Sequence, residues 1–518
     1  MKKLISWLDN NIVKLLLMGY VFVIPLWPKL PLKMINYTYI AIRMEDLYVG
    51  LLVAVFLIQL LRKKIVLKKT LVIPILVFWG AVFASFVWGY YVSKTIVFQH
   101  LGLLHSLRRV EYMVAFFMFA ASIQKKEDFY LYLKLIMGAL FLVTGYGLGQ
   151  KYLGWPAVQT MNPEYAKGYL LVLDANARIS STFGGHYDLA AYLIFLMPLT
   201  LGLFLSTSGA WYYFFVFFLS LYALVLTASR VSYGAYFLST IPFLLFMRKF
   251  KLLFVVLVLT IGLTLLSSNL TSRISRTFQT RQIFIDKTTG QTTVPRRLKP
   301  DELPIGDYVI NKKAVEDSAT DVGSSNLNAK DVADAKANIR DEIVKNARMA
   351  GKTLTRAEED ALVEEAFAKM KVVSTMLPDI SFATRLQVEW PRAIKAFMSN
   401  PVLGKGPSSI TEASDNDYLR WLGEFGLVGT VSFLAILFLI AKSMWKKAVT
   451  TATDEKYLFW GILFSGAGLM VNASYIDVFE ASKVAYIFWM IAGIFMGYAT
   501  LKKTTPVKAV APARRKKK

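Results

Sequence analysis

The sequence predicts an all-α polytopic membrane protein, with about 12 transmembrane helices and a large, mainly helical extracytoplasmic loop between spans 9 and 10. Three observations predict it. The 518 residues are 55% hydrophobic with a mean hydropathy of +0.45, and the apolar residues gather into separate runs. Most of these runs approach the roughly 20 residues a helix needs to cross a hydrocarbon core of about 30 Å. The runs are continuous rather than alternating, which excludes a β-barrel. The basic residues, finally, collect on one side once the spans are counted.

The runs fall near 11–27, 46–61, 71–92, 103–122, 129–148, 188–206, 211–228, 231–247, 251–267, 426–441, 457–473 and 482–500. The opening "MKKLISWLDNNIVKLLLMGYVFVIPLWP" begins like a signal peptide. It has no small-residue cleavage site and continues to Trp27-Pro28, so it is expected to stay as the first span. Basic clusters lie at Lys2-Lys3, "RKKIVLKK" (62–69), Lys125-Lys126, "MRKFK" (247–251), Lys446-Lys447 with Lys456, and the tail "LKKTTPVKAVAPARRKKK" (501–518). Counting from a cytoplasmic N-terminus puts all of them inside, as expected of a multi-pass plasma (inner) membrane protein with both termini cytoplasmic. Connections 28–45, 149–187, 268–425 and 474–481 then lie outside. In 268–425, 23 Lys and Arg nearly cancel 22 Asp and Glu, and long translocated loops follow the charge rule weakly. The expected organisation is a bundle over 1–267 (spans 1–9), a loop domain over 268–425, spans 10–12 over 426–500, and a basic cytoplasmic tail over 501–518.

Composition removes several chemistries. With no cysteine, disulfides and thiolate metal sites are impossible. His100, His105 and His186 are the only histidines, too few for a histidine-rich zinc centre, and no cofactor is expected. The net charge of +25 suggests nucleic acid, but no groove-reading motif accompanies it. The tail reads instead as a juxtamembrane segment drawn to anionic membrane lipids.

The outer loop divides in two. Its insertion, about 280–375, begins with a polar stretch rich in Gly, Pro, Thr and Asp and goes on to two helical signals. "NAKDVADAKANIRDEIVKNARMAG" (328–351) is bracketed by Asn328 and Gly351 as N- and C-caps. "TRAEEDALVEEAFAKMKVV" (355–373) opens with Thr355 and Glu358 in capping-box spacing. Together they predict a solvated helical hairpin. The segment 379–425 then returns the chain to the membrane and carries Arg385, Glu389, Trp390, Arg392 and a Gly-Lys-Gly turn.

Four constellations have chemical potential. Arg230 in "LTASRVSYGAYF" (226–237) sits between two apolar runs at the outer interface, where it would either bind a diphosphate or snorkel to lipid head groups. Arg385 and Arg178 are further outer arginines, and three at one rim shift the balance towards an anion. In "SDNDYLRWLGEFG", Asp415 or Asp417 would serve as a general base or cation ligand, while Ser414 or Asp415 would equally cap a helix. His186 in "STFGGHYDLA" (181–190) is an acid/base candidate or an interfacial histidine. "GKGPSS" (404–409) lacks the spacing of a nucleotide phosphate loop.

"LTASRVSYGAYF", "TRLQVEWPRAIKAFMSNPVLGKGPSSI" and "DNDYLRWLGEFGLVG", preceded by "RISSTFGGHYDLAAYLIFLMPL" (178–199), resemble the O-antigen ligase/polymerase family of membrane glycosyltransferases. The resemblance covers roughly 175–440 outside the insertion. It implies a polyprenyl-diphosphate-linked oligosaccharide donor and a glycan, lipid or protein acceptor. By position, Arg230 and Arg385 match arginines expected at the donor diphosphate. Asn416, Tyr418, Leu419, Glu424 and Gly426 match a His-Asn…Leu…Glu…Gly segment. Arg178, Asn416, Tyr418, Glu424, Trp390 and Arg392 are expected to line the substrate site. The family usually has a histidine where this chain has Asp415, so the resemblance leaves the base open between Asp415 and His186. The alternatives are a transporter or flippase of lipid-linked glycans, and a scaffold whose outer loop binds a partner. The first calls for charges near the bilayer midplane and for related halves, whereas the polar groups singled out here gather at the outer rim.

Overall fold

A computed structural model describes the chain except residues 1, 39, 161–163, 175–176, 208–209, 268, 272–277, 287–291, 294–319, 322–326, 328, 351, 379–384, 411–412 and 502–518. The basic tail beyond Leu501, both expected caps of the first loop helix (Asn328 and Gly351), and most of the polar stretch 286–328 lie outside the described residues.

Each of the twelve apolar runs falls on a helix. In order these are α1 (Lys2–Leu26), α2 (Met44–Leu61), α3 (Val72–Val87, continued by a π turn over Trp88–Val92), α4 (Gln99–Ser122), α5 (Lys126–Tyr152), α6 (His186–Ser206), α7 (Trp211–Thr227), α8 (Arg230–Phe246) and α9 (Phe250–Leu265). After the outer loop come α13 (Asp417–Thr450), α14 (Lys456–Ala473) and α15 (Ser482–Ala499). Seven helices among the described residues are long and apolar enough to cross a membrane. α7 and α9 are apolar but shorter, and α4 has the length but carries Arg108, Arg109 and Glu111.

α6 and α15 form the centre, with 83% and 94% of their apolar windows buried. α6 packs on α14 and α7, and α15 on α4. Small residues let the backbones approach: a Cβ on Gly493 would stand 2.4 Å from the Phe116 carbonyl oxygen, and one on Gly497 2.9 Å from that of Ala120. Membrane helices associate through such close packing because lipid supplies no hydrophobic drive between them.

The loop between α9 and α13 is mainly helical among its described residues, but it adds a small sheet. α10 (Ala329–Met349) and α11 (Arg356–Ala368) are present, and the Thr355/Glu358 capping box forms. Strands β3 (Phe278–Asp286), β4 (Thr292–Thr293), β5 (Thr320–Asp321) and β6 (Met370–Pro378) join them in an antiparallel sheet of order β4-β3-β6-β5. β3 and β6 pair from Phe278↔Pro378 to Asp286↔Met370. The second helix ends at Ala368 rather than 373, because Val372, Val373 and Thr375 are β-branched and favour a strand. The helices are not a free hairpin either. Ala335, Ile339, Val363 and Phe367 bury against Phe284, Met370 and Val372 of the sheet. The described chain is otherwise α-helical, apart from a short hairpin in connection 28–45, β1 (Pro31–Met34) with β2 (Ala41–Arg43).

Candidate active site

The re-entry segment begins with a π turn over Arg385–Glu389, followed by α12 (Trp390–Ser399), whose Pro391 sits in the first turn where no amide is missed. α12 packs along α13 and buries Ala393 and Ala396 with Ile410. The chain then turns through 401–409 onto a break in α13. Gly426 at φ 61°, ψ −162° interrupts that helix. The freed backbone groups find strand-like partners: Leu427 donates to Pro401 at 2.8 Å, Lys405 to Gly423 at 2.8 Å and Gly406 to Glu424 at 2.9 Å. Irregular backbone near lipid needs such satisfaction from within the protein. "GKGPSS" is therefore a packing turn against α13.

Glu424 faces inward, fully buried. It accepts from the Ser408 amide at 3.3 Å and pairs with Arg109 of α4 at 2.9 Å. The helix cap expected at Ser414 or Asp415 is Asn416, whose Oδ1 accepts from the Leu419 amide at 3.1 Å while its Nδ2 donates to the Ser474 carbonyl at 2.9 Å. Tyr418 Oη donates to the Met470 carbonyl at 2.9 Å, fastening α13 to α14. These residues of the family-like segment hold the site in place.

Asp415 is displaced from the cap by Asp477, which lies in the connection 474–481. The Asp477 carboxylate accepts three consecutive amides, from Ser414 (2.8 Å), Asp415 (3.1 Å) and Asn416 (2.9 Å), and the Ser414 hydroxyl at 2.8 Å. That cradle holds Asp415 at φ 49°, the left-handed region, and turns its side chain outward. Its Oδ2 meets Arg385 Nη2 at 2.5 Å.

Arg385 is 3% exposed, lies over the Tyr475 ring at 4.2 Å and faces the Tyr187 ring at 5.9 Å. Arg178 faces the same Tyr187 ring at 5.8 Å. Trp390 meets the Tyr475 ring edge-on at 6.1 Å. His186, the first residue of α6, is buried with its ring 4.0 Å from that of Tyr187. Burial pushes the Asp415 carboxyl up to about 6 against the pull of Arg385. It lifts Glu389 to about 7, helped by the Asp415 charge. Arg385 is raised: burial works against its charge, but Asp415, Tyr187, Tyr475 and Glu389 together outweigh it. Arg392 is half-buried and acts on Glu389 as a neighbouring cation.

The structure thus brings Arg178, His186, Arg385, Trp390, Arg392 and Asp415 to one place. Arg230 opens α8 at the same end of the bundle. Ser229 and Ser232 beside it are hydrogen bonded to each other, and Ser232 donates to Asn472 near the end of α14. Three buried polar atoms here, Arg178 Nη1, Glu389 Oε2 and Trp390 Nε1, have no hydrogen-bond partner among the described residues. Buried polar atoms normally find one, so the arrangement suits a polar ligand.

Residues 215–434, from α7 into α13, match the family model described as O-Antigen ligase. Over this stretch, 220 of the 518 residues, the chain is similar to the O-antigen ligase family. The matched stretch includes Arg230, Arg385 and Asp415, whereas Arg178 and His186 reach the site from outside it. No curated protein matches the chain. Around the matched region the structure adds groups that the sequence alone did not single out: Asp477 and Glu480 from 474–481, Arg43 from 28–45, and Arg108 and Arg109 from α4. The last two carried a signal, because charges inside an apolar run mark a functional position.

Proposed function

We propose that this protein is a membrane-embedded glycosyltransferase that moves glycan from a polyprenyl-diphosphate donor onto an acceptor hydroxyl at the extracytoplasmic face, as a ligase or a polymerase of cell-surface polysaccharide. The observation that carries the reading is the Arg385–Asp415 pair at 2.5 Å, with Arg178 and unpartnered buried polar atoms around it. In this reading the acceptor oxygen attacks the anomeric carbon and the bond to the diphosphate oxygen breaks with inversion. The acceptor proton passes to Asp415 as general base. Arg230 and Arg385 take up the charge that develops on the diphosphate, a contribution that grows in a water-poor site. Twelve crossings with both termini cytoplasmic would put this end of the bundle outside.

The test is transfer by purified, reconstituted protein given a polyprenyl-diphosphate oligosaccharide, resolving longer chains from transfer to a second acceptor. Arg230→Ala and Arg385→Ala, folded as the parent, should lose both products. Undiminished turnover in either would remove the assignment.

A further inference from the structure

Three buried arginines at this end of the bundle are each matched by a carboxylate. Arg385 has Asp415, Arg109 has Glu424 and Glu480, and Arg420 lies 3.6 Å from Asp477 and 3.8 Å from Glu480. Arg43 and Arg108 differ. Arg43 ends the β1–β2 hairpin and caps α2. It is 6% exposed, its guanidinium makes no hydrogen bond or ion pair among the described residues, and its Nε is buried. The nearest acids do not bond it: Asp46 accepts the Arg43 amide at 2.9 Å, and Glu45, 4.0 Å from Lys29, has both carboxylate oxygens buried without a hydrogen-bond partner among the described residues. Among the described residues Arg108 donates only to Tyr112 Oη, at 3.4 Å.

Both arginines line one cavity of about 140 Å³, together with Lys29, Arg420, Asp188 and Glu480. Four cations therefore face two carboxylates, one of them already bonded to Arg109. A buried guanidinium without an acceptor loses its water and gains nothing in return, so such a group marks a missing anion. Its planar fork of donors fits the oxygens of a phosphoryl group. The cavity is also coupled to the reacting carboxylate, since Asp415 feels Arg420 and Asp188 as well as Arg385.

We propose that this cavity is a second anion site, binding the phosphate or diphosphate of a lipid-linked substrate through Arg43 and Arg108. Only the identity of the carrier rests on the glycosyltransferase reading; anion binding by the cavity does not.

The experiment titrates inorganic pyrophosphate into the purified full chain by calorimetry. Saturable binding is expected, weakened about tenfold by Arg43→Gln or by Arg108→Gln. The exposed outer Lys94, changed to Gln, should alter affinity by less than about twofold. Wild-type affinity in both arginine variants, melting as the parent does, overturns the site. Should a glutamine variant fail to fold, Arg43→Lys and Arg108→Lys decide: binding about threefold weaker supports the fork, and unchanged affinity in both overturns it.

Initial rates then assign the carrier. A higher KM for the donor alone in Arg43→Gln places the donor diphosphate here, and a higher KM for the acceptor alone places a phosphate of the acceptor. The two readings fail separately. Transfer lost in Arg385→Ala with normal pyrophosphate binding in Arg43→Gln and Arg108→Gln removes the cavity and leaves the enzyme. Weakened binding in Arg43→Gln, in a protein whose parent transfers no glycan, removes the enzyme and leaves the cavity.

Discussion

Arg385 and Asp415 meet at 2.5 Å from opposite ends of the re-entry segment, with 4% of the Arg385 side chain and 29% of the Asp415 side chain exposed. One partner is thus sealed against Tyr475 while the other stays partly open. A carboxylate acting as base must be ionised, and burial lifts this one to about 6. Turnover should therefore rise with pH through about 6 and level off above it, the base form being lost as the pH falls. Asp415→Asn should lose about 10²- to 10⁴-fold in kcat, whereas Asp415→His, the residue the family usually has, should keep part of the activity. A pH–rate profile of the reconstituted protein checks both.

Removing the cation should move that profile in a known direction. Arg385 lowers the Asp415 carboxyl, so the residual activity of Arg385→Gln should have its acid limb at higher pH than the parent. An unshifted limb would mean that another group carries the titration.

Asp477 is expected to matter as a positioning residue. Its carboxylate accepts the amides of Ser414, Asp415 and Asn416, all within 3.1 Å. Asp477→Ala strands those three amides and the Ser414 hydroxyl, a loss of roughly 4 kcal/mol in stability. Asp477→Asn keeps the shape but sets an amide's donors in place of one acceptor oxygen. A disordered Asp415 should lower kcat more than it raises the donor KM, which steady-state kinetics on the asparagine variant would show.

How much of this was legible depended on how local each signal is. The helices were, because an apolar run declares itself within about 20 residues. The sheet was not: β3 and β6 satisfy each other across the whole insertion, and neither Phe278–Asp286 nor Met370–Pro378 shows its partner locally. Arg385 and Asp415 were picked out separately, but their contact depends on the π turn and on the 414–416 cradle. Asp477 is a single acid in a short connection, and only folding brings three amides to it. Arg108, Arg109 and Glu111 were readable as charges inside an apolar run.

Gly426 offers a test of the break in α13. At φ 61° an alanine is strained, and its Cβ would stand 2.3 Å from the Val402 carbonyl oxygen. Gly426→Ala should cost about 1–3 kcal/mol for the backbone alone, with more from the clash. The expected readout is a lower melting temperature in detergent together with reduced transfer, since the 401–409 turn that buries Glu424 docks on this break.

The absence of cysteine makes the sidedness directly testable, because any introduced cysteine is the only thiol in the chain. Lys64 and Lys446 belong to clusters expected inside, and Lys94 and Lys167 to connections expected outside. All four are exposed residues of no proposed role; Lys64 pairs with Asp9 and Lys167 with Glu164. In intact cells a membrane-impermeant maleimide should label Lys94→Cys and Lys167→Cys. It should reach Lys64→Cys and Lys446→Cys only after permeabilisation. Labelling of Lys446→Cys from outside would break the alternation at α13, whose start carries Asp415's cradle and whose end carries Lys446. The active end would then have to be placed on the cytoplasmic side, or α13 would have to turn back within the membrane. The single-thiol pair Lys94→Cys and Lys446→Cys therefore decides on which face an acceptor would have to arrive.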